Sequence, residues 1–367
     1  MTVEGRVGVD AYRVMVSTTS RLVGEYEGSD VQLTLAFPDS ESMNLRLTET
    51  PMSRSAVIVL FDMETPETQP RILPLESAEH VGQRVCDVLS VFYGKRFDCH
   101  GLTEGAGIFW VPDLSLFSRA SHPRLPFNSH SARTAWPVPL DLAQAARVEK
   151  WFAPPMDDVN TRRVETACAF YARALRNAEH DSEVAYLHLI TAGEVLAGLN
   201  DYGSQELLDD QTLKDVAQVR EHLGEKMANR FTGRMTSIRM KFVKSLLTLL
   251  EEDFYADGQA DETNDKAFLA EGMKDLEGKE YDMAKCLASA YDVRSRYVHS
   301  GTPFEFPVAT TSRFGLSDRT LGRPSLADRD FAKTLEKSPT LCGLERVLRY
   351  CLLKRMGVSA SSPETTG

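Results

Sequence analysis

A segment crowded with proline divides the sequence into two parts of different character, and this limits how the chain can fold. Seven of the 17 prolines lie between residues 112 and 155: Pro112, Pro123, Pro126, Pro137, Pro139, Pro154 and Pro155. Each proline removes a backbone donor and favours extended structure in the residue before it. No long helix or central strand is expected to run through such a segment. We therefore expect residues 114–155 to be a linker or wrapping segment between two differently built domains.

The residues before this segment have the pattern of a mixed α+β domain. Period-two alternation and short apolar runs predict several strands separated by turn residues. The expected strands are 31–37, 43–47, 55–61, 96–100 and 107–111. Apolar residues recur at helical spacing over 77–93, and Gly94 supplies a helix stop. We expect an α+β domain of unassigned role over residues 1–113.

The residues after the segment have a helical pattern for most of the remaining chain. The expected helices are 159–179, 182–199, 212–229, 234–255, 264–298 and 328–356. They predict an all-α helical bundle over residues 156–356. The polar residues 357–367 are expected to form a disordered tail.

Composition and charge exclude several classes of protein. The formal net charge is −11, which argues against non-specific coating of DNA or of an anionic membrane. No apolar run approaches the roughly 20 residues that a membrane-spanning helix needs, and the N-terminus lacks a signal-peptide pattern. The six cysteines are scattered without a C-x-x-C pair, which is typical of reduced thiols and not of a disulfide framework or a zinc site. We expect a soluble cytoplasmic protein.

One segment combines residues that can carry out acid–base chemistry on a phosphate. Near the end of a predicted helix, Arg294 precedes His299 by five positions, and Gly301 follows as a helix stop. On an ideal helix Arg294 lies about 140° from His299. The two side chains can converge only if the helix loosens, if the long arginine reaches round, or if a second subunit supplies one partner. Other nearby polar residues lie within about 100° of His299, and these are Asp292, Ser295 and Arg296.

The pattern Tyr291-x-x-Arg294-Ser295-x-x-Val298-His299-x-Gly301 resembles the signature of the HEPN superfamily, in particular its Apea-like branch. The segment 186–198, which contains Glu194 within an apolar run, is similar to the early bundle helix of that branch. The resemblance covers about residues 155–356. Where many superfamily members place Asn, Asp or His after the arginine, this chain has serine.

The resemblance implies a dimeric helical bundle that acts as an endoribonuclease without a metal or another cofactor, often in anti-phage defence or in toxin systems. His299 would exchange protons while Arg294 clamps the phosphoryl oxygens. The ribose 2′-hydroxyl would then attack its own 3′-phosphate and leave a 2′,3′-cyclic phosphate and a 5′-hydroxyl. The motif of one chain contains one histidine, whereas the reaction needs both an acid and a base. Two sites that face each other across a two-fold axis would therefore suit the chemistry.

Four further residues are candidates for supporting roles. Ser295 and Asp292 would orient the imidazole or contact RNA, although helix-capping and solvent-facing roles fit equally well. Arg296 would be a second phosphate contact or one half of a surface salt bridge. Glu194 would neutralise Arg294 or another cation, since a carboxylate on a buried face needs a partner.

A weaker candidate for RNA binding is a cationic stretch of fifteen residues that contains no acid. Its cations are Arg230, Arg234, Arg239, Lys241 and Lys244. They could follow an RNA backbone. The alternative is an ordinary solvated helix face opposite Ile238, Phe242 and Leu246.

A second function from a different class stays open. The bundle could be a catalytically silent HEPN module that binds a partner protein or a nucleotide, with the N-terminal domain carrying the activity. In either case a regulatory partner or a phage-derived trigger could act through the N-terminal domain.

Overall fold

The structure is a computed structural model that divides into two compact units. It describes residues 9–36, 54–64, 75–115, 123–133, 136–153, 158–208, 210–236, 238–260, 266–274, 280–304, 308, 317–320 and 322–359. The first unit, called the sheet unit, comprises Met1–His180 and Leu353–Gly367. The second, called the helical unit, comprises Asp181–Leu352. An antiparallel sheet region followed by a mainly helical part agrees with the expected α+β and all-α classes.

The strands and the first two helices belong to the sheet unit. They are β1 Val9–Thr18, β2 Leu22–Val23, β3 Tyr26–Glu27, β4 Val31–Leu35, β5 Ser55–Glu64, α1 Leu75–Tyr93, β6 Phe97–Gly105, β7 Ile108–Phe109, β8 Leu140–Asp141, a 3-10 helix Leu142–Trp151 and α2 Val159–Asn177. The later helices are α3 Ser182–Ala197, α4 Ser204–Leu207, α5 Asp210–Leu223, α6 Glu225–Met235, α7 Ile238–Leu247, α8 Glu252–Ala260, α9 Met283–Ser300, α10 Arg329–Lys337 and α11 Leu341–Met356.

The main sheet has the order β3-β4-β5-β1-β6-β7 and is antiparallel throughout. Its centre is β1, which pairs with β5 along its full length from Val9–Glu64 to Thr18–Ser55. The sequence reading did not predict β1. The signal was present, because Tyr12, Val14 and Val16 alternate with polar or less buried residues and are fully buried.

Helix α1 covers one face of this sheet and ends where the sequence predicted. Gly94 adopts a φ of 62°, which suits a helix stop in the left-handed region. The last turn of α1 packs its aromatic side chains against Trp136, whose ring lies 4.9 Å from Phe92 and 5.1 Å from Tyr93. The indole of Trp136 also donates a hydrogen bond to the Phe92 carbonyl at 3.0 Å.

The proline-rich segment wraps the sheet unit over its described residues. The ammonium of Lys95 is fully buried and donates to the carbonyls of Pro126 at 2.6 Å, Ser129 at 3.1 Å and Ser131. Farther along, Trp151 donates to the Met356 carbonyl at 3.2 Å. The described residues of the segment are therefore attached to the sheet unit by polar contacts, those of Lys95 coming from a buried ammonium.

The division of the chain falls at residue 180 and not at 155, where the sequence suggested a boundary. The reason is helix α2, which was expected to open the bundle and instead packs on α1. Its buried face includes Val164, Cys168 and Tyr171. An ion pair between Arg84 and Glu165 also joins the two helices. The C-terminal residues 353–367 likewise belong to the sheet unit.

Four expected helices of the helical unit are interrupted or shortened. Gly224, with a φ of 81°, separates α5 from α6 within the expected helix 212–229. Ser338 has extended backbone before Pro339 and ends α10 within the expected helix 328–356. Residues 266–274, expected to be helical, are not, and α9 begins only after the N-cap residue Asp282. The expected helix 234–255 is divided into α7 and α8.

Two expectations lie outside the described residues. They are the strand at 43–47 and most of the C-terminal tail, from residue 360 onward. Among the described residues, no helix has the length and apolar character needed to cross a membrane.

The buried lysine gives the first prediction. Lys95→Met keeps the apolar stem but removes the buried donor to three backbone carbonyls, so the free energy of unfolding of the sheet unit should fall by about 3 kcal/mol. All three tryptophans (Trp110, Trp136 and Trp151) lie in this unit. Tryptophan fluorescence during urea unfolding of the full chain therefore reports this unit.

The matched control is Lys150→Met, since Lys150 is exposed on the same unit. It should change the unfolding free energy by less than about 1 kcal/mol. An unchanged urea midpoint for Lys95→Met would mean that water replaces the ammonium at these carbonyls.

Candidate functional site

The candidate site is built on α9, whose two ends are defined by its sequence. The Asp282 side chain accepts a hydrogen bond from the Lys285 backbone at 2.9 Å and caps the N-terminus. At the other end Gly301 adopts a φ of 64°, and its N–H donates to the Tyr297 carbonyl at 2.9 Å. The buried face of α9 comprises Met283, Cys286, Leu287, Ser289, Ala290 and Val293. Arg294 and His299 thus lie beyond the last fully buried turn.

Glu194 on α3 brings the two helices together at the candidate site. Its Oε1 accepts a hydrogen bond from the Tyr291 hydroxyl at 2.8 Å, and its Oε2 lies 3.5 Å from Nη2 of Arg294. The Arg294 guanidinium also lies 5.6 Å from the centre of the Tyr291 ring. The ion pair that the sequence suggested between Glu194 and Arg294 is therefore present, with the side chains 19% and 25% exposed respectively.

A close helix approach places Tyr291 beside Glu194. A Cβ on Gly193 would lie 2.4 Å from the Phe242 ring of α7, so only glycine lets this ring pack so closely on α3. The Phe242 ring in turn lies 5.6 Å from the Tyr291 ring. Glycine immediately before Glu194 therefore determines how α3, α7 and α9 meet at the site.

The tyrosine is a donor throughout the neutral pH range. Burial, followed by the hydrogen bond to Glu194, raises the pKa of Tyr291 to about 12. Its hydroxyl stays protonated and holds the carboxylate that faces Arg294. Tyr291 is part of the sequence motif, but the motif alone does not assign it a role. The available signal was its position three residues before Arg294, which places both on adjoining parts of one helix face.

His299 is exposed in the last turn of α9. The helix remains regular through Ser300, so it does not loosen in the way that would bring His299 towards Arg294. On such a helix the two residues stay about 140° apart. Of the three routes to convergence, those that remain are a reaching arginine and a second subunit.

The supporting residues on α9 mostly have partners of their own. Asp292 pairs with Arg239 of α7 at 2.9 Å, and both side chains are nearly half exposed. Arg296 pairs with Asp328, the N-cap residue of α10. Ser295 is half-buried. The surface salt bridge considered for Arg296 is thus present, and Asp292 is held towards α7.

The cationic stretch is divided between two helices. Arg230 is exposed on α6, and Arg234 lies on the same helix with a side chain outside the described part of the structure. The other cations, Arg239, half-buried Lys241 and exposed Lys244, lie on α7. Phe242 and Leu246 are buried as expected, but Ile238 is 62% exposed. Ile238 is the first residue of α7, where the helix begins.

The described residues contain no group of three or more His, Cys, Asp or Glu side chains arranged to hold a metal ion. Comparison of the chain with protein-family models, with curated proteins and with solved structures returned no match. The features that indicate a class of protein are therefore those of α9 and its partners.

The Tyr291–Glu194 contact gives the second prediction. Tyr291→Phe removes a hydrogen bond to a charged acceptor and should lower the free energy of unfolding of the helical unit by about 1.5–3 kcal/mol. The measurement is loss of circular dichroism at 222 nm in urea, while tryptophan fluorescence follows the sheet unit separately.

Tyr202→Phe is the matched control, because the Tyr202 hydroxyl has an exposed contact to Thr248 at 3.4 Å. Its cost should be under about 0.5 kcal/mol. Equal costs for the two variants would show that the Tyr291 hydroxyl contributes no more than a surface contact.

Proposed function

We propose that the helical unit is a metal-independent endoribonuclease of HEPN type that cleaves RNA by attack of the 2′-hydroxyl on the adjacent phosphate. The observation that carries the proposal is the arrangement at the end of α9. A partly exposed guanidinium, Arg294, is anchored by Glu194, and an exposed imidazole, His299, follows in the last turn. These are a phosphate clamp and a proton-transfer group on one helix end.

Arg294 has the properties of a phosphate clamp. A guanidinium carries five N–H donors, and the 3.5 Å contact to one oxygen of Glu194 leaves further donors for the oxygens of a phosphate. The Tyr291 ring restricts the guanidinium from one side. An arginine that is already oriented pays less entropy when it binds a pentacoordinate phosphate.

His299 has the exposure that a general acid and base needs for contact with RNA. An imidazole both accepts and donates protons near neutral pH, so it suits the removal of a proton from the 2′-hydroxyl and the protonation of the 5′-oxygen leaving group. The reaction as proposed uses no cofactor.

The separation of the two groups on α9 supports a site shared between two copies of the chain. If Arg294 of one copy faces His299 of the other, a two-fold axis generates two equivalent sites. We therefore propose a homodimer formed through the helical unit. Arg230, Lys241 and Lys244 would follow the RNA backbone leading to the site, and Arg239 would contribute if RNA displaces Asp292.

A catalytically silent HEPN module that binds a partner protein or a nucleotide is the second candidate. The observation in its favour is that Arg294, Arg296 and Arg239 each already pair with a carboxylate. Such a module would leave RNA intact. A role in anti-phage defence or as a toxin, and a regulatory partner or phage-derived trigger acting through the N-terminal part, rest on the resemblance alone. The cytoplasmic location stays an expectation from the sequence pattern.

Substitution of the two central residues gives the third prediction. His299→Ala should lower the rate of RNA cleavage by about 10²–10⁴-fold because proton transfer is lost. Arg294→Lys should also fail, since an ammonium cannot reproduce a bidentate clamp. Cleavage of single-stranded RNA by the wild type should persist in EDTA and leave 5′-hydroxyl ends that a polynucleotide kinase labels without prior dephosphorylation.

The chain offers matched controls for both variants. His222 is an exposed histidine in the last turn of α5, and Arg220 forms an exposed ion pair with Glu225 at 2.9 Å. His222→Ala and Arg220→Lys should cut RNA at the wild-type rate. If His299→Ala cuts as fast as the wild type, His299 is not the acid–base group; if wild-type protein leaves RNA intact, the silent module is favoured.

A mixing experiment gives the fourth prediction. If each site takes its arginine from one copy and its histidine from the other, a heterodimer of Arg294→Lys and His299→Ala contains one intact site. When the two variants are mixed in equal amounts and exchange subunits, half of the dimers are heterodimers, and one of the two sites in each heterodimer is intact. The mixture should therefore show about a quarter of the wild-type activity. Light scattering should report a dimer. If the wild type is active but the mixture of variants is inactive, Arg294 and His299 of the same chain form each site.

A further inference from the structure

A second site lies in the sheet unit, where an open cleft of about 650 Å³ is formed by α1, β6 and the residues after β7. The lining is polar. It comprises Glu79, His80, Gln83, Cys99, His100, Gly101 and Asp113. Among these side chains the thiol of Cys99 is the strongest nucleophile once it is deprotonated. The environment of Cys99 therefore determines what the cleft can do.

A bulge in β6 shapes the backbone around this thiol. Leu102 pairs with Val14 and Cys99 pairs with Val16, so two residues of β6 lie opposite the single residue between them on β1. One of the two is Gly101, whose φ of 92° is readily accessible to glycine. A hydrogen bond from the Gly101 backbone helps to lower the pKa of Cys99, after the larger effect of a hydrogen bond with Cys86. A donor at this position stabilises the thiolate.

A second cysteine lies directly behind Cys99. A Cβ on Gly82 of α1 would lie 2.4 Å from Val14 and 3.2 Å from the Cys99 sulfur, so the helix approaches the sheet unusually closely here. Cys86 follows one turn later on the same helix face and is fully buried. Burial, followed by a hydrogen bond with the Cys99 thiol, raises the pKa of Cys86 well above its ordinary value, and the same interaction lowers the pKa of Cys99. The two sulfurs are therefore neighbours, one facing the cleft and one facing the core.

We propose that Cys99 and Cys86 form a redox-active thiol pair in which Cys99 reacts with a hydroperoxide that enters the cleft and Cys86 then closes a disulfide. The proposal concerns the sheet unit and is independent of RNA cleavage by the helical unit.

The two steps balance as follows. The Cys99 thiolate attacks one oxygen of the hydroperoxide; an S–O bond forms, the O–O bond breaks, and the other oxygen leaves as water or an alcohol after taking a proton. The Cys86 sulfur then attacks the sulfur of the Cys99 sulfenic acid. An S–S bond forms, the S–O bond breaks, and water leaves with the Cys86 proton. Two thiols are oxidised and one hydroperoxide is reduced.

The other cysteines lack this combination. All six sulfurs are free, but Cys168, Cys286 and Cys351 are buried. Burial raises the pKa of Cys168 far above its ordinary value and that of Cys286 to about 12. The pKa of Cys99 is instead lowered, first by the hydrogen bond with Cys86 and then by that from Gly101, against the opposing effect of burial. Cys342 is half-buried and lies in the other unit, which makes it a matched control.

The experiment that tests the proposal treats the reduced full-length chain with a small excess of hydrogen peroxide at pH 7. Peptide mapping by mass spectrometry without reduction should find a disulfide between Cys86 and Cys99, and thiol titration should show the loss of two thiols. In competition with iodoacetamide, Cys99 of the untreated chain should be alkylated several-fold faster than Cys342.

Two variants separate the roles of the cysteines. Cys86→Ser should halt the reaction at the sulfenic acid, which dimedone traps on Cys99, whereas Cys99→Ser should leave Cys86 reduced. Cys342→Ser should behave as the wild type. Should a variant fail to fold, the wild-type peptide map still decides: absence of the Cys86–Cys99 disulfide, or equal alkylation of Cys99 and Cys342, overturns the proposal.

Discussion

The antiparallel pairing between β1 and β5 is the interaction on which the sheet unit depends. All ten residues of β1 pair with β5, and β6 pairs with the other edge of the same strand. The buried side chains of β1 provide the surface against which α1 packs, and Gly82 lets the helix come close. Because successive side chains of a strand point to opposite faces, a one-residue shift in the register of β1 would turn its buried residues to the other face and remove this surface. The cleft and the thiol pair both follow from this arrangement.

In the helical unit a single carboxylate has the corresponding role. Glu194 accepts a hydrogen bond from Tyr291 and pairs with Arg294, so it connects α3 to the C-terminal half of α9. A partly buried carboxylate that has two donors is satisfied, and the same contacts orient the guanidinium. This arrangement fits a phosphate clamp that is prepared before RNA binds. The same contacts also fit an ion pair with a purely structural role. The ion pair therefore does not distinguish the proposed ribonuclease from the silent module, whereas proton transfer by His299 does.

The two proposals place different chemistry in the two units. In the helical unit, proton transfer and phosphate binding would take place at an exposed helix end, where a second copy of the chain can complete the site. In the sheet unit, a thiol reaction would take place in a cleft formed by a β-bulge and a close helix approach. The first rests on spacing along one helix, and the second on contacts between residues of two elements. Each can fail without affecting the other.

The sequence by itself determined the order of a β-rich part, a proline-rich segment and a helical part, because periodicity and proline act on the local backbone. It also indicated the end of α1 at Gly94, the Glu194–Arg294 pair and the helix end at Gly301. Only the tertiary structure decided that α2 belongs with the sheet unit, that Asp292 and Arg296 are paired, and that Cys86 lies behind Cys99. These facts depend on which surfaces pack together, and residues far apart in the chain, such as Asp292 and Arg239, carry no local signal of their contact. Amphipathic helices with similar patterns can pack on either unit, and the choice is made by the buried area and ion pairs that form once the chain has folded.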